Sequence, residues 1–434
     1  LNKLRFIIMI LKNSKKIYNK SQQVLAGPST FGKGVDQFAF GITPYALKSG
    51  KGAFTWDVDG NKYIDTIMAL GAITLGHCHP DVEKAITNQL QKGTTMSLTH
   101  DLEIEVAEML CGRIPCAEMV RFGKNGNDVT SAAIRLSRYI TGNDHVLFCG
   151  YHGWQDWYIC ETSMAGGIPS DIKKYSHHFN YNNIDNLKKL LEEFNGKTAC
   201  IIMEPTARVH PHEDYLLQVR SLANKYNTIL IFDEIVTGFR FHRGGYQSVC
   251  GVTPDLACFS KAMGNGMPIS ALVGKKEYMS QSQEIFYSLT FGGETLSLAA
   301  TKATLEVMDK ENVPSVIAKH GQYLLDHLNV LINQYDLNDI ISFQGYPCRN
   351  VMIVKDYEDI PAADIRTYWI QECTRLNVLT AGYHIVSLAH TKPIMDELLS
   401  KYKLVLKDIQ NSLADKSLCN KLDCPTSLEG ARSL

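Results

Sequence analysis

Three side chains in this sequence have the types and the placement to act together on one substrate. Lys261 lies in F-S-K-A-M-G-N-G-M-P-I-S (259–270), between a short apolar run and a loop carrying two glycines and a proline. A lysine amine that meets a carbonyl can form a Schiff base and can then move protons beside it. Glu204 and Asp233 close the apolar runs T-A-C-I-I-M-E-P (198–205) and N-T-I-L-I-F-D-E (227–234), and Lys261 follows D-L-A-C-F (255–259). A lone lysine usually signifies nothing. What raises this one is its company, which depends on the elements that carry it.

Those elements alternate. D-V-T-S-A-A-I-R-L-S-R-Y-I-T (128–141) places Val129, Ala132, Ala133, Leu136 and Ile140 on one helical face, and D-H-V-L-F-C-G follows as a strand. N-L-K-K-L-L-E-E-F (186–194) and Y-L-L-Q-V-R-S-L-A-N-K-Y (215–226) are helices that lead into the two runs ending at Glu204 and Asp233. Apolar runs of this length without polar alternation are strands covered on both faces, so the class is α/β, doubly wound, with a mostly parallel sheet. Ligands of such folds bind outside the carboxyl ends of the strands, which collects Glu204, Asp233, Ser260 and Lys261 at one rim. Beyond residue 310 the texture turns to helices mixed with alternating segments, F-Q-G-Y-P-C-R-N-V-M-I-V and N-V-L-T-A-G-Y-H-I-V-S-L-A. The expected division is an N-terminal arm and part of a small α+β domain (1–60), a large domain (61–310), the C-terminal small domain (311–414) and a polar, disordered tail (415–434).

A carboxylate buried at the end of a strand is costly unless it meets a cation, and a protonated pyridine nitrogen is one that would serve Asp233. In pyridoxal phosphate enzymes such an aspartate keeps the ring positive, so that it accepts electrons from the substrate carbon. The phosphate then needs a seat. F-G-K-N-G-N-D-V-T-S (122–131) is a glycine-bearing turn running into a helix, whose first N–H groups and dipole suit a dianion. Asn127 can add a donor, Gly126 permits close approach and Lys124 is a candidate charge partner; a plain Asn/Asp helix cap explains the same residues. The turn is neither of the glycine patterns that bind dinucleotides or nucleoside triphosphates. In G-Y-H-G-W-Q-D-W-Y (150–158), Tyr151 offers a flat face beside a ring, or else belongs to an aromatic cluster under a loop.

The bulk numbers narrow the alternatives. Across 434 residues, 44 Lys+Arg against 45 Asp+Glu leave a formal charge of −1 and no basic block, which argues against nucleic acid. A 45% apolar composition supports a sizeable core in two or three domains. The twelve cysteines contain no C-x-x-C pair, as expected of reduced thiols in a cytoplasm, and His77-Cys78-His79 reads as a turn before Pro80 rather than as metal ligands. The run Phe6–Leu11 after Lys3 and Arg5 is too short for a signal peptide, and no stretch is long enough to span a membrane.

F-D-E-I-V-T-G-F-R (232–240), F-S-K-A-M-G-N-G-M-P-I-S-A-L-V-G (259–274), Y-H-G-W and W-D-V-D-G-N-K-Y-I-D…L-G-H-C-H-P (56–80) together resemble the class III pyridoxal phosphate aminotransferases, most of all the glutamate-1-semialdehyde aminomutase branch. The resemblance runs from about residue 25 to 412 and implies the fold type I architecture of those enzymes. It implies Lys261 as the Schiff-base lysine, Asp233 as partner of the pyridine nitrogen, and Ile235 against the ring. Tyr151 would stack on the other face with His152 beside it, and Glu204 would lie near the cofactor hydroxyl. Asn125, Gly126 and Asn127 match the Ser-Gly-Thr of the phosphate loop. Thr290, in S-L-T-F-G-G-E-T, matches a threonine that reaches the neighbouring subunit's phosphate, which implies a homodimer.

Two departures stand out. The phosphate loop reads K-N-G-N-D where the family usually has N-S-G-T-E. The aminomutase also carries an arginine for its substrate's carboxylate in the N-terminal region, and the comparable stretch 32–44 has none. The expected activity is therefore transfer of an amino group from an amino-acid donor to a small aldehyde or ketone, with sugar-derived carbonyls included. An intramolecular aminomutase is the alternative, and a fold-retaining protein without catalysis a minor one.

Overall fold

The computed structural model describes residues 11–206 and 208–428. Lys3, Arg5 and the run from Phe6 to Ile10 lie outside the described residues, as do 429–434. The chain forms two compact units, one from the residues up to His79 together with those from Val316 onward, the other from Pro80 to Ser315.

After a helix at Lys12–Val24, the first unit forms an antiparallel meander, β1 (Leu47–Lys51), β2 (Phe54–Asp57) and β3 (Lys62–Asp65). The turn between β2 and β3 follows from D-V-D-G-N: the Asp57 carboxylate accepts the amides of Asp59 at 2.9 Å and Asn61 at 2.8 Å, and Gly60 takes φ +91°. The large domain was expected to begin at residue 61, but β3 pairs on one side with β2 and on the other, in parallel, with a short strand at Val378–Leu379. Residues 61–79 therefore belong with the C-terminal segment.

The second unit is built on seven strands: β4 (Met119–Gly123), β5 (His145–Cys149), β6 (Ser176–His178), β7 (Thr198–Met203), β8 (Ile229–Asp233), β9 (Leu256–Phe259) and β10 (Ser270–Gly274), in the order β4-β10-β9-β8-β7-β5-β6. Only β10 runs antiparallel to its neighbours. Every residue of β7, β8, β9 and β10 is buried, which is why these segments carry no polar alternation. Helix α1 (Gly126–Thr141) lays Val129, Ala132, Ala133 and Leu136 on the sheet. At the rim opposite the strand ends, buried Asp255 is compensated by Arg220 and Lys275, each at 2.8 Å, and by the Leu230 amide. A second helix, α2 (Thr295–Lys310), begins at Glu294, whose carboxylate accepts the amides of Leu296 and Ser297.

The C-terminal part of the first unit adds β11 (Ile341–Tyr346), β12 (Arg349–Val354), the short β13 (Val378–Leu379) already met beside β3, β14 (Tyr383–Ile385) and helix α3 (Ala362–Arg375). The segment 415–428 is not the disordered tail its polar composition suggested. Leu418 is fully buried, and the amides of Asp423, Ser427 and Leu428 reach Gln371 Oε1, Thr367 Oγ1 and the Asp36 carbonyl at 2.8, 2.9 and 2.7 Å. Side chains on α3 satisfy a backbone that has no periodicity of its own, so pattern reading misses it. At the N-terminal boundary the Cys78 backbone turns through φ +51° while His77 Nε2 faces Asp65 Oδ2 at 3.1 Å, an arrangement that makes the turn.

Two buried histidines make this unit acid-sensitive. His384 lies between Asn350 Oδ1 and the Tyr402 hydroxyl, both at 2.7 Å, and burial, helped by His390, pushes it down to about 3. Burial pushes His390 down to about 4 against the opposing pull of Asp65. The unfolded chain takes up these protons near pH 6.5 and the folded one does not, so stability is full above about pH 6.5 and falls as pH drops toward 4. Each histidine is expected to cost roughly 2 kcal/mol between pH 6.5 and 5. Urea midpoints at the two pH values measure this, and His384→Gln should remove about half of the drop; an unchanged drop in that variant refutes the assignment.

Candidate active site

Strand register brings the carboxylates to one level. Cys149 on β5 pairs with Met203 on β7, Met203 with Phe232 on β8, and Asp233 with Cys258 on β9. One residue beyond the first two pairs, Gly150, Glu204 and Asp233 follow side by side at the carboxyl ends. Lys261 leaves β9 three residues after Cys258, at the start of a short 3-10 turn, with φ +40°. A non-glycine residue held there costs about 1 kcal/mol or more, and such strain gathers at functional sites.

Asp233 and Glu234 are adjacent acids with opposite fates: Asp233 is the last residue of β8, and Glu234 follows it into the turn. Glu234 is sealed in the protein, accepting bonds from the Thr237 hydroxyl and the amides of Tyr246 and Gln247, and burial pushes its carboxyl up. Asp233 is 3% exposed; Oδ1 accepts the Ile235 amide at 3.0 Å and Oδ2 lies 2.8 Å from His152 Nδ1. The other nitrogen of His152 faces the Cys149 carbonyl at 3.1 Å. The Asp233 carboxylate and the Cys149 carbonyl thus face the two ring nitrogens of His152 and fix the orientation of the imidazole. His152 is itself buried, at 1% exposure.

Glycines let the loops close on these side chains. A Cβ on Gly150, whose φ is +102°, would stand 2.9 Å from Glu204 Oε2, the atom that accepts the Tyr151 amide at 3.2 Å. A Cβ on Gly126 would stand 2.5 Å from Ile235 Cδ1, so the first turn of α1 rests on Ile235. A Cβ on Gly153 would meet Asn127 Cβ at 2.7 Å. The aromatic segment divides: Trp157 and Tyr158 are buried in the core, whereas Tyr151 is 43% exposed with its ring set edgewise, 84°, to Tyr158.

At the N-terminus of α1, Asn125 occupies the cap position, and Asp128 Oδ2 accepts the amides of Asn125 at 2.7 Å and Lys124 at 3.1 Å. The Lys124 ammonium points elsewhere, to Glu294 Oε2 at 3.0 Å and Ser297 Oγ at 3.2 Å. Burial works against ionised Glu294, but the bonds from Ser297, Lys124 and the helix amides hold its carboxyl below the usual range. Thr290 lies exposed four residues before Glu294, beside the exposed Phe291. Lys261, Asp233, Glu204, Tyr151, His152 and Ile235 therefore stand on or touch neighbouring strand ends, and Asn125, Gly126 and Asn127 join them through Ile235 and Gly153. Thr290 stands apart from them, four residues before Glu294 in the chain. Asp128 and Glu294 were missed in the sequence, although both stand at the helix-start positions that acidic residues favour.

A strained lysine, a buried carboxylate and a glycine-relieved helix start at the carboxyl rim of a mostly parallel sheet define a pyridoxal-phosphate-dependent transferase of fold type I. The chain belongs to the class III aminotransferases: the profile of the family Aminotransferase class-III matches residues 39–408. It is 34% identical to a 3-aminobutyryl-CoA aminotransferase of Cloacimonas acidaminovorans, over 91% of this chain and 99% of that protein. It is 32% identical to a glutamate-1-semialdehyde 2,1-aminomutase of Methanococcus maripaludis, over 92% and 99%. Among solved structures, the FumI protein of Sphingopyxis sp. MTA144 superposes with a TM-score of 0.87 at 24% identity, covering 95% of this chain and 98% of that one. The residues fit the cofactor of this family: a buried carboxylate, Asp233, stands at the strand ends beside a helix start whose Gly126 rests on Ile235, which places an anion for a ring cation near amide donors for a phosphate. Among the described residues, no helix is long and apolar enough to cross a membrane.

Proposed function

We propose that this chain moves an amino group from an amino-acid donor to a small aldehyde or ketone, releasing the keto product before the acceptor enters. The observation that carries the reading is the single level shared by Glu204 and Asp233, with Lys261 leaving the next strand. Pyridoxal phosphate, when bound, supplies a sink for the electron pair left at the substrate carbon. Lys261 holds the cofactor covalently through Nζ and carries the proton to and from the substrate carbon. Asp233, oriented by His152 and the Ile235 amide, supports positive charge on the ring nitrogen. Ile235 and Tyr151 would flank the ring, Glu204 would face its hydroxyl side, and the amides of Gly126 and Asn127, with the Asn125 and Asn127 side chains, would seat the phosphate.

Thr290, exposed among the apolar Phe286, Leu289 and Phe291, supports a homodimer in which each subunit completes the other's phosphate seat. Twelve free cysteines support a reducing, cytoplasmic setting. Two similar proteins are named for 3-aminobutyryl-CoA and for a 2,1-aminomutase, which supports a substrate that carries its amino group away from the position next to a carboxylate.

Identity with the aminomutases favours a second reading, intramolecular transfer on an amino-aldehyde, which uses the same cofactor residues. Nitrogen labelling separates the two. With a ¹⁵N amino donor and an unlabelled amino-aldehyde, the aminated product is expected to carry the label; product that holds only the amino-aldehyde's own nitrogen would establish the mutase instead.

A further inference from the structure

Two charged stretches near the site, K-N-G-N-D (124–128) and T-F-G-G-E (290–294), meet in space. Lys124 Nζ donates to Glu294 Oε2 at 3.0 Å and to Ser297 Oγ at 3.2 Å, and the Ser297 hydroxyl donates to Glu294 Oε2 at 2.6 Å. Glu294 also takes the amides of Leu296 and Ser297 at 2.7 and 3.1 Å, so one carboxylate caps α2 and holds the lysine. The side chains are only 15% and 16% exposed. At the other end, the Lys124 amide is held by Asp128 on the first turn of α1.

We infer that Lys124 is a positioning residue, a strut with Glu294 that fixes the turn of the phosphate seat to the start of α2, and not a ligand of the phosphate. Its charge is already matched by Glu294, so a dianion at α1 gains no unpaired ammonium and depends on the amides of the turn. Those amides point correctly only while the turn is held, and the strut is what holds its first residue from outside α1. The same bond anchors the segment that carries Thr290. The inference rests on the phosphate seat proposed above.

The test is a double-mutant cycle with Lys124→Met, Glu294→Gln and the pair. Two quantities are read on the full chain: the unfolding midpoint without cofactor, and the dissociation constants of pyridoxal phosphate and of pyridoxal from absorbance titration. Each single variant is expected to lower the midpoint by roughly 2–4 °C and to weaken pyridoxal phosphate about five- to tenfold, pyridoxal much less. The double variant should be no worse than either single. The strut is overturned if Lys124→Met alone weakens pyridoxal phosphate with its midpoint unchanged while Glu294→Gln leaves binding equal or tighter, the signature of a phosphate ligand. It is equally overturned if all variants bind pyridoxal phosphate like the wild type. A wild type that binds pyridoxal as tightly as pyridoxal phosphate would instead strike the proposed phosphate seat, whatever the midpoints show.

Discussion

Replacement of Lys261 by alanine is expected to reduce turnover by on the order of 10⁴–10⁶-fold, the scale seen when a covalent catalyst is removed. The fold should tolerate the change. Alanine keeps a Cβ at φ +40°, so the backbone strain at this position is the same in both proteins. The unfolding midpoint of the cofactor-free variant is therefore expected to stay close to that of the parent. Borohydride treatment of the loaded parent followed by peptide mass analysis should find the cofactor on the peptide containing Lys261, and the variant should yield no such adduct. Full activity in the variant, or an adduct on another lysine, would remove Lys261 from the mechanism and with it the reading of the rim.

Asp233→Asn is the second large effect. Asparagine has nearly the same shape and can still accept the Ile235 amide through its oxygen, so what it removes is charge. If Asp233 supports a positive ring nitrogen, kcat should fall by about 10²–10⁴-fold, a range typical of electrostatic groups at a reacting centre. His152→Gln should fall by less, because the imidazole touches the carboxylate and the Cys149 carbonyl and acts through the former. Glu234 provides the control: its carboxylate is sealed among Thr237, Tyr246 and Gln247, so Glu234→Gln should be read in stability rather than in kcat after loading. A kcat near the parent value in Asp233→Asn would show that the carboxylate's charge plays no part.

The strut and the acid-sensitive histidines show how local chemistry reaches beyond the reacting centre. Lys124 was legible as a candidate for phosphate because it is a cation next to a helix start. Its partner was not legible, since Glu294 lies 170 residues away in the chain. His384 and His390 gave no signal, because nothing in H-I-V-S-L-A-H says that Asn350, Tyr402 and the Asp65 carbonyl will enclose them.

The parallel core was readable from the chain because burial on both faces forces unbroken apolar runs, and those runs end at the residues that matter. The type of Lys261, the carboxylates after β7 and β8, and the helix start at Gly126 are local facts, written in residue kinds and spacing. Local pattern failed where pairing is long-range: β3 went to the first unit because β13 lies beside it, and the C-terminal segment is ordered because α3 supplies its acceptors. Which of two adjacent acids faces the site was also a matter of three dimensions. Asp233 and Glu234 are chemically alike, and only the end of β8 and the packing around Tyr246 decide that one is sealed away and the other meets His152 at the rim.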